Sequence, residues 1–241
     1  MKPRLLVIAL LSTGLATAQL GVPRIGCFAD DLRRLRTVSG IAGNFLVGDP
    51  ETGEIMSAAC SDALTLIKRE NLLEVRGRNE SVEWPAPPGP ALFGFSRNGS
   101  AALAYFPETK EWFRVDRFAM TQLPPPEGEV LAVGNPDAPS AVVRRDEALW
   151  ITGADSRPVP ADAAEPLLLL PDGSLLYARG GDLVLGAVDG SERSFTLPAA
   201  AQALEWLGRD WVRIGLRGRS GRLALALGDR NELYRLPEVA P

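Results

Sequence analysis

Apolar runs of four to six residues, separated by short polar segments, recur in groups of four along most of the chain. The last run of each group ends at a proline that follows a large apolar residue, and these prolines are Pro85, Pro124, Pro160, Pro198 and Pro237. The intervals between them are 39, 36, 38 and 39 residues. A near-constant period of this length is the signature of a repeat architecture. We therefore predict five repeated units, at residues 55–90, 91–128, 129–164, 165–200 and 201–238.

The hydrophobic pattern changes from the first run to the fourth run of each unit. First runs such as Leu167–Leu170 are almost wholly apolar, as expected of strands covered on both faces. Fourth runs such as Ser194–Leu197 alternate apolar and polar residues, as expected at an edge with one face in water. Asn-Gly and Asp-Gly pairs between the first two runs favour hairpin turns, because these residues accept a positive φ. One sheet per unit, buried inside and polar outside, predicts an all-β chain folded as a β-propeller with four-stranded blades.

The segment 26–54, ahead of the first clear unit, contains three further strand-like runs. These runs are Gly26–Ala29, Leu35–Val38 and Phe45–Gly48. They predict either most of a sixth blade or a strap that closes the ring. A ring has to close, because an open propeller exposes the apolar faces of its terminal blades.

Two segments resemble a hairpin motif of known propeller repeats. Asp49–Glu54 (DPETGE) and Phe106–Trp112 (FPETKEW) are similar to the D-P-x-T-G-x-x-W hairpin of bacterial exported β-propellers with quinoprotein-like and YVTN-type repeats. The resemblance implies the propeller fold and leaves the activity open.

The N-terminus has the three parts of a secretory signal peptide. Lys2 and Arg4 supply the positive charge, Leu5–Leu11 is a short apolar stretch, and Ala16–Ala18 is an A-x-A cleavage site. We predict that residues 1–18 are removed between Ala18 and Gln19, which leaves a single domain at 19–241 in the periplasm or outside the cell. The alternative is a buried N-terminal strand. No other long apolar run is present, so we expect no membrane span.

The only two cysteines are Cys27 and Cys60. An even number of cysteines in an exported protein indicates a disulfide, which here closes a loop of 33 residues. The alternative is two buried free thiols. A lipid-modified Cys27 is not expected, because Arg24 stands where a lipidation signal requires an apolar residue.

Charge and composition exclude several classes of function. The net charge is −4, and removal of the predicted signal peptide leaves 24 basic and 30 acidic side chains. This balance argues against nucleic acid as a partner, since nucleic-acid binding needs a basic surface. The chain contains no histidine, which excludes Ser-His-Asp and Cys-His catalysis and histidine-ligated metals. We therefore assign no catalytic residue, metal ligand or cofactor.

Basic side chains mark the hairpins between the second and third strands, which emerge on one end of a propeller. The predicted binding residues are Arg145, Arg179, Arg217, Arg219 and Arg222. The last hairpin, Arg217–Arg222, has no acidic neighbour in sequence, so its charges are expected to face an anionic peptide or glycan. The alternative is that hairpin tips are charged for solubility and to prevent strand pairing.

Two classes of function remain. The first is a non-enzymatic binding or scaffold propeller with a protein, peptide or glycan ligand. The second is a propeller enzyme, either a carboxylate-based hydrolase or lyase or a quinone-dependent oxidoreductase. The loops between the runs are short and carry no long insertion, so we expect a binding protein rather than an enzyme.

Overall fold

The computed structural model describes residues 22–153, 156–218, 222–228 and 231–238. The predicted signal peptide, the cleavage site at Ala18 and Gln19, and the candidate residue Arg219 lie outside these ranges. The described residues form 23 strands in six antiparallel sheets and contain no helix. The chain is a six-bladed β-propeller, which confirms the predicted fold.

Each blade follows the chain order from its innermost to its outermost strand. Blade 1 contains β1 (Arg24–Ala29), β2 (Leu35–Ile41) and β3 (Asn44–Val47). Blade 2 contains β4 (Ser57–Cys60), β5 (Thr65–Arg69), β6 (Leu72–Arg76) and β7 (Ser81–Pro85). Blade 3 contains β8 (Leu92–Phe95), β9 (Ala101–Phe106), β10 (Glu111–Asp116) and β11 (Met120–Leu123). Blade 4 contains β12 (Glu129–Val133), β13 (Ala141–Arg145), β14 (Ala148–Thr152) and β15 (Arg157–Pro158). Blade 5 contains β16 (Ala164–Leu169), β17 (Leu175–Arg179), β18 (Asp182–Gly186) and β19 (Glu192–Thr196). Blade 6 contains β20 (Ala201–Gly208), β21 (Trp211–Leu216), β22 (Arg222–Ala226) and β23 (Glu232–Arg235).

Burial is greatest in the second strand of a blade rather than in the first. All six residues of β9 are buried, whereas the outer strand β7 is exposed at alternate positions. The first strands β16 and β20 are partly exposed at one end. The expectation that first strands are covered on both faces is therefore wrong at these ends, because the first strands line an open space at the centre of the ring.

The first strands of blades 2–6 form an inner ring around the propeller axis. Neighbours in this ring follow the chain order, and β20 also lies beside β4, so the ring of five inner strands is closed. These strands start on one end of the propeller and finish on the other. We call the starting end the upper face; it also carries the hairpins between second and third strands. The finishing end is the lower face.

The innermost strand of blade 1, β1, runs in the opposite direction to the inner-ring strands of the other blades. Ala29, the last residue of β1, lies with Met56 and Ser57 at the start of β4. Arg24, at the beginning of β1, reaches past the other end of β4, where its Nη2 is 3.2 Å from Thr65 Oγ1. β1 therefore runs antiparallel to β4, as the second strand of a blade does. The described part of blade 1 thus has three strands and no counterpart of an inner-ring strand.

Blade 1 closes the propeller by filling the outer gap between blades 2 and 6. β1 contacts both β4 and β20. A disulfide joins Cys27 of β1 to Cys60 of β4 with a Cα–Cα distance of 5.7 Å, which confirms the predicted pairing and removes the alternative of free thiols. On the other side, Phe45 packs edge to face against Trp211 and Tyr234 of blade 6, at centroid distances of 5.4 and 6.0 Å. The N-terminal strands are therefore a sixth blade, and they close the outer gap between blades 2 and 6.

Among the residues that the structure describes, none belongs to a helix of the length and apolarity needed to cross a membrane.

Candidate functional site

The inner ring opens on the upper face into a cavity of about 340 Å³. All five inner strands contribute to its wall, together with Ala29 at the rim. The wall is mainly apolar in residue type, with leucine, alanine, valine and proline residues from these strands and the segments before them. Met56, Leu92, Leu131 and Leu204 are among the apolar residues of this wall.

Three polar side chains also line this upper cavity, and each already has a partner. The hydroxyl of Ser57 accepts a hydrogen bond of 3.0 Å from the backbone N–H of Ala91, which links blades 2 and 3. Glu205 accepts hydrogen bonds from Arg213, at 2.9 Å from Nε, and forms an ion pair of 2.8 Å with Nη2. Glu165 is ion-paired with Arg144. The upper cavity is therefore apolar with two neutralised carboxylates.

A second cavity, of about 210 Å³, lies at the lower face of the same ring. Its wall consists of the turns that follow the inner strands, and its polar rim contains Arg97, Asp172, Arg209 and Asp210. Trp206 contributes to both cavities and packs edge to face against Phe95 at a centroid distance of 6.2 Å. Trp206 is therefore the residue that the two cavities share.

The predicted arginines within the described ranges lie on three different blades. Arg145 of blade 4 donates a hydrogen bond of 3.0 Å from Nε to the carbonyl oxygen of Glu127. Arg179 of blade 5 forms an ion pair of 2.7 Å with Glu192, and its Nε lies 2.9 Å from Asp162. The second contact is an ion pair and not a hydrogen bond, since the Nε–H points away from the carboxylate.

The ion pairs of Arg179 belong to a network with Tyr177. The Tyr177 hydroxyl donates to Glu192 Oε1 over 2.6 Å and accepts a hydrogen bond of 2.7 Å from Arg179. Burial and the bond to Glu192 raise the pKa of Tyr177 to about 12. Hydrogen bonds from Arg179 and Tyr177 lower the pKa of Glu192 to about 2. Arg179 is thus held by contacts within blade 5 and by Asp162 in the connection between blades 4 and 5.

Arg222 was expected to have no acidic partner, and this expectation is wrong. Its Nη2 lies 2.6 Å from Asp31, which blade 1 supplies from the opposite end of the sequence. The guanidinium also stacks over the ring of Phe28 at 5.3 Å, and the side chain is only 10% exposed. Arg217, in contrast, is exposed and has no ion pair within the described ranges. Ligand binding by the predicted arginines therefore stays a prediction.

The acidic turn after β1 is a further feature that the sequence did not reveal. Asp30 is buried, and its carboxylate accepts hydrogen bonds from the backbone N–H groups of Leu32 and Arg34, at 3.0 and 2.9 Å. The Nε atoms of Arg34 and Arg36 donate to the same carboxylate, at 3.0 and 2.8 Å. Asp30 and Arg36 thus form a buried ion pair that orders the β1–β2 connection, whereas Asp31 and Arg33 of the same segment are exposed.

Sequence reasoning also missed the two glutamates of the upper cavity. Glu165 lies at the start of β16, directly before its apolar run, and Glu205 lies within β20. The signal that could have found them is a charged residue in an otherwise mainly apolar inner strand. Within the described ranges, no three acidic or cysteine side chains gather as ligands for a metal ion. What the upper cavity offers chemically is an apolar wall with carboxylate acceptors at its edge.

No protein-family model matches the sequence, and no curated protein matches it. Three solved structures show the fold. Virginiamycin B lyase from Staphylococcus aureus aligns over 91% of this chain and 86% of its own, with 13% identity and a TM-score of 0.51. A chain of the nidogen/laminin complex aligns over 85% of this chain and 89% of its own, with 8% identity and a TM-score of 0.62.

The third is PorZ, a surface component of the type-IX secretion system of Porphyromonas gingivalis. PorZ aligns over 89% of this chain and 38% of its own, with 12% identity and a TM-score of 0.51. At these identities the similarity to all three structures shows the β-propeller fold alone.

Proposed function

We propose that this protein is an exported, non-enzymatic binding propeller that accepts an apolar segment of a partner protein in the upper cavity. The observation that carries the proposal is the apolar wall of this cavity, to which five blades contribute. Binding sites in proteins are typically concave and mostly apolar, with a few polar groups that orient the ligand. The cavity has this character, and its position on the axis makes it accessible to a single inserted segment.

The charge at the mouth selects the chemistry of the partner. Glu165 and Glu205 are the charged groups of this cavity's wall, and Glu165 is more than half exposed despite its ion pair with Arg144. A carboxylate at the edge of an apolar cavity favours a ligand with N–H donors. We therefore propose that the inserted segment carries a large apolar residue and a neighbouring lysine or arginine.

Two further observations support export and a binding role. The Cys27–Cys60 disulfide fits an oxidising compartment, and the first 18 residues have the pattern of a signal peptide. Among the structures with the same fold, one is part of the nidogen/laminin complex and one is a bacterial surface component. A propeller can therefore act by binding another protein.

The test is a selection of displayed peptides on the intact protein, followed by binding measurements on single variants. Met56 is half-buried at the mouth and belongs to no core cluster, so Met56→Glu should preserve the fold and abolish binding of the selected peptides. Leu46→Glu is the matched control, because Leu46 is 56% exposed on blade 1. Glu205→Gln should reduce the preference for basic residues. Equal binding to the wild type and to Met56→Glu would reject the proposal.

An enzyme remains the second candidate because Glu165 and Glu205 line the same cavity. Most glycoside hydrolases use two carboxylates, placed on either side of the bond that they cleave. In this cavity both carboxylates already pair with arginines, which speaks against a free acid and base. A panel of p-nitrophenyl glycosides decides the question, since hydrolysis that disappears in both Glu165→Gln and Glu205→Gln would favour the enzyme.

A further inference from the structure

The lower cavity combines an apolar floor with a rim of mixed charge. Phe95, Leu170, Trp206 and Leu227 supply apolar surface, and two arginines and two aspartates stand among the turns around it. This cavity lies on the face opposite the proposed partner site, and Trp206 lines both cavities.

The two arginines of the rim hold no hydrogen-bonded ion pair. Arg97 is exposed and has no ion pair within the described ranges. Arg209 lies 3.6 Å from Asp62 and 3.9 Å from Asp210, and both distances exceed that of a hydrogen bond. Both guanidinium groups can therefore donate to a carboxylate without breaking a strong contact.

The aspartates provide acceptors on the same rim. The carboxylate of Asp210 is 67% exposed, and among the described residues its only ion pair is the one with Arg209, at 3.9 Å. Asp172 accepts hydrogen bonds from the backbone N–H and the hydroxyl of Ser174, at 2.9 and 3.0 Å. Each carboxylate oxygen accepts more than one hydrogen bond, so Asp172 also retains capacity for a donor.

From this arrangement we infer that the lower cavity binds a free α-amino acid with an apolar side chain. The ligand's carboxylate would pair with Arg97 and Arg209, its ammonium group with Asp210 and Asp172, and its side chain would lie against Phe95 and Trp206. The size agrees with this assignment. An apolar cavity of about 150 Å³ holds benzene, so about 210 Å³ accommodates the side chain of phenylalanine or leucine.

The experiment is calorimetric titration of the intact protein with L-phenylalanine and three analogues. N-acetyl-L-phenylalanine lacks the ammonium group, L-phenylalaninamide lacks the carboxylate, and glycine lacks the side chain. The two analogues that lack a charged group should bind at least about tenfold more weakly than phenylalanine, because hydrogen bonds to charged groups are the strong ones. Glycine should also bind more weakly, because it has no apolar side chain to bury. The dipeptide glycyl-phenylalanine separates a free amino acid from a chain terminus, and the proposal requires that it binds more weakly.

Variants of the rim complete the test. Arg97→Gln and Asp210→Asn should each weaken phenylalanine binding about tenfold. Arg78→Gln is the matched control, because Arg78 is exposed on the same face, in the turn between β6 and β7, outside the cavity. The proposal is overturned if phenylalanine produces no binding heat at millimolar concentration, if the analogues bind equally well, or if Arg78→Gln has the same effect as Arg97→Gln. The analogue series on the wild type decides the matter should a variant fail to fold.

Discussion

Phe28 lies between two arginines at the junction of blades 1 and 6. The guanidinium carbons of Arg213 and Arg222 are 5.0 and 5.3 Å from the centre of its ring. Each arginine also has a carboxylate partner, Glu205 for the first and Asp31 for the second. Both arginine side chains are largely buried, whereas the carboxylate of Asp31 is exposed, and together these contacts join the first and last blades.

We expect Arg222→Ala to lower the free energy of unfolding by about 1–2 kcal/mol, because it removes a partly desolvated cation–π contact and an ion pair. Arg217→Ala should leave stability unchanged, since Arg217 is exposed. Urea denaturation of both variants is the measurement. Equal stability of Arg222→Ala and the wild type would contradict a role of Arg222 in ring closure.

The buried carboxylate of Asp30 makes stability depend on acid pH. Burial alone raises the pKa of Asp30, and hydrogen bonds from Arg36 and Arg34 outweigh it and lower the pKa from 3.8 to about 2. A pKa below that of the unfolded chain stabilises the fold above pH 4, and this contribution is lost as the pH falls toward 2. The shift corresponds to about 2 kcal/mol.

We therefore expect Asp30→Asn to lose stability at pH 6 and to show a smaller further loss than the wild type between pH 4 and pH 2. Urea denaturation across this range measures both effects. Asp49→Asn is the control, because Asp49 is exposed and should follow the wild type. A wild-type pH profile that Asp30→Asn reproduces would contradict the assigned role of Asp30.

At the scale of the strands, β1 and β20 approach each other with no side chain between them. A Cβ at Gly26 would lie 1.3 Å from the carbonyl oxygen of Leu207, and a Cβ at Gly208 would lie 1.9 Å from that of Ile25. Only glycine allows two backbones to come this close. The contact determines how far blade 1 enters the gap between blades 2 and 6.

Gly26→Ala should therefore destabilise the fold by at least about 1–3 kcal/mol, the usual range for overpacking, because the clash involves backbone that cannot rotate away. Gly181→Ala is the matched control, since a Cβ there has no atom within 4 Å. The thermal unfolding midpoint and the elution volume in gel filtration report the effect. A Gly26→Ala variant with the wild-type midpoint would show that β1 does not pack as described.

The strands could be predicted from the sequence, whereas the side-chain contacts between distant blades could not. The proline period and the turn residues predict the blades because each blade is formed by about forty consecutive residues. The partner of Arg222 could not be found in this way, because Asp31 lies on the first blade and Arg222 on the last. The same limit applies to the upper cavity, where Glu165 and Glu205 come together only through the ring.

At the scale of the whole molecule, the disulfide ties the closing blade to the inner ring. Both sulfur atoms are fully buried, and the bond closes a loop of 33 residues between β1 and β4. On the chain-entropy model, a loop of this size stabilises the folded state by about 3–4 kcal/mol.

The Cys27→Ala/Cys60→Ala double variant should accordingly unfold at lower urea concentration, with a loss of up to about 3–4 kcal/mol. Addition of reductant to the native wild type should have little effect without denaturant, because the sulfur atoms are inaccessible. Fast loss of the bond in native buffer, or a double variant as stable as the wild type, would contradict this description.

The contact between Gly26 and Gly208 also dictates the order of events as the chain folds. The N-terminus is synthesised first, yet β1 meets β20 only after more than 180 further residues exist. Cys60, the disulfide partner of Cys27, lies just 33 residues further along the chain, so blade 1 can attach to blade 2 early. Its contact with blade 6 forms only later. Contacts of such large sequence separation slow folding and keep apolar surface open in the meantime. Completion of the ring is therefore the late step at which an unfinished molecule is most exposed to aggregation.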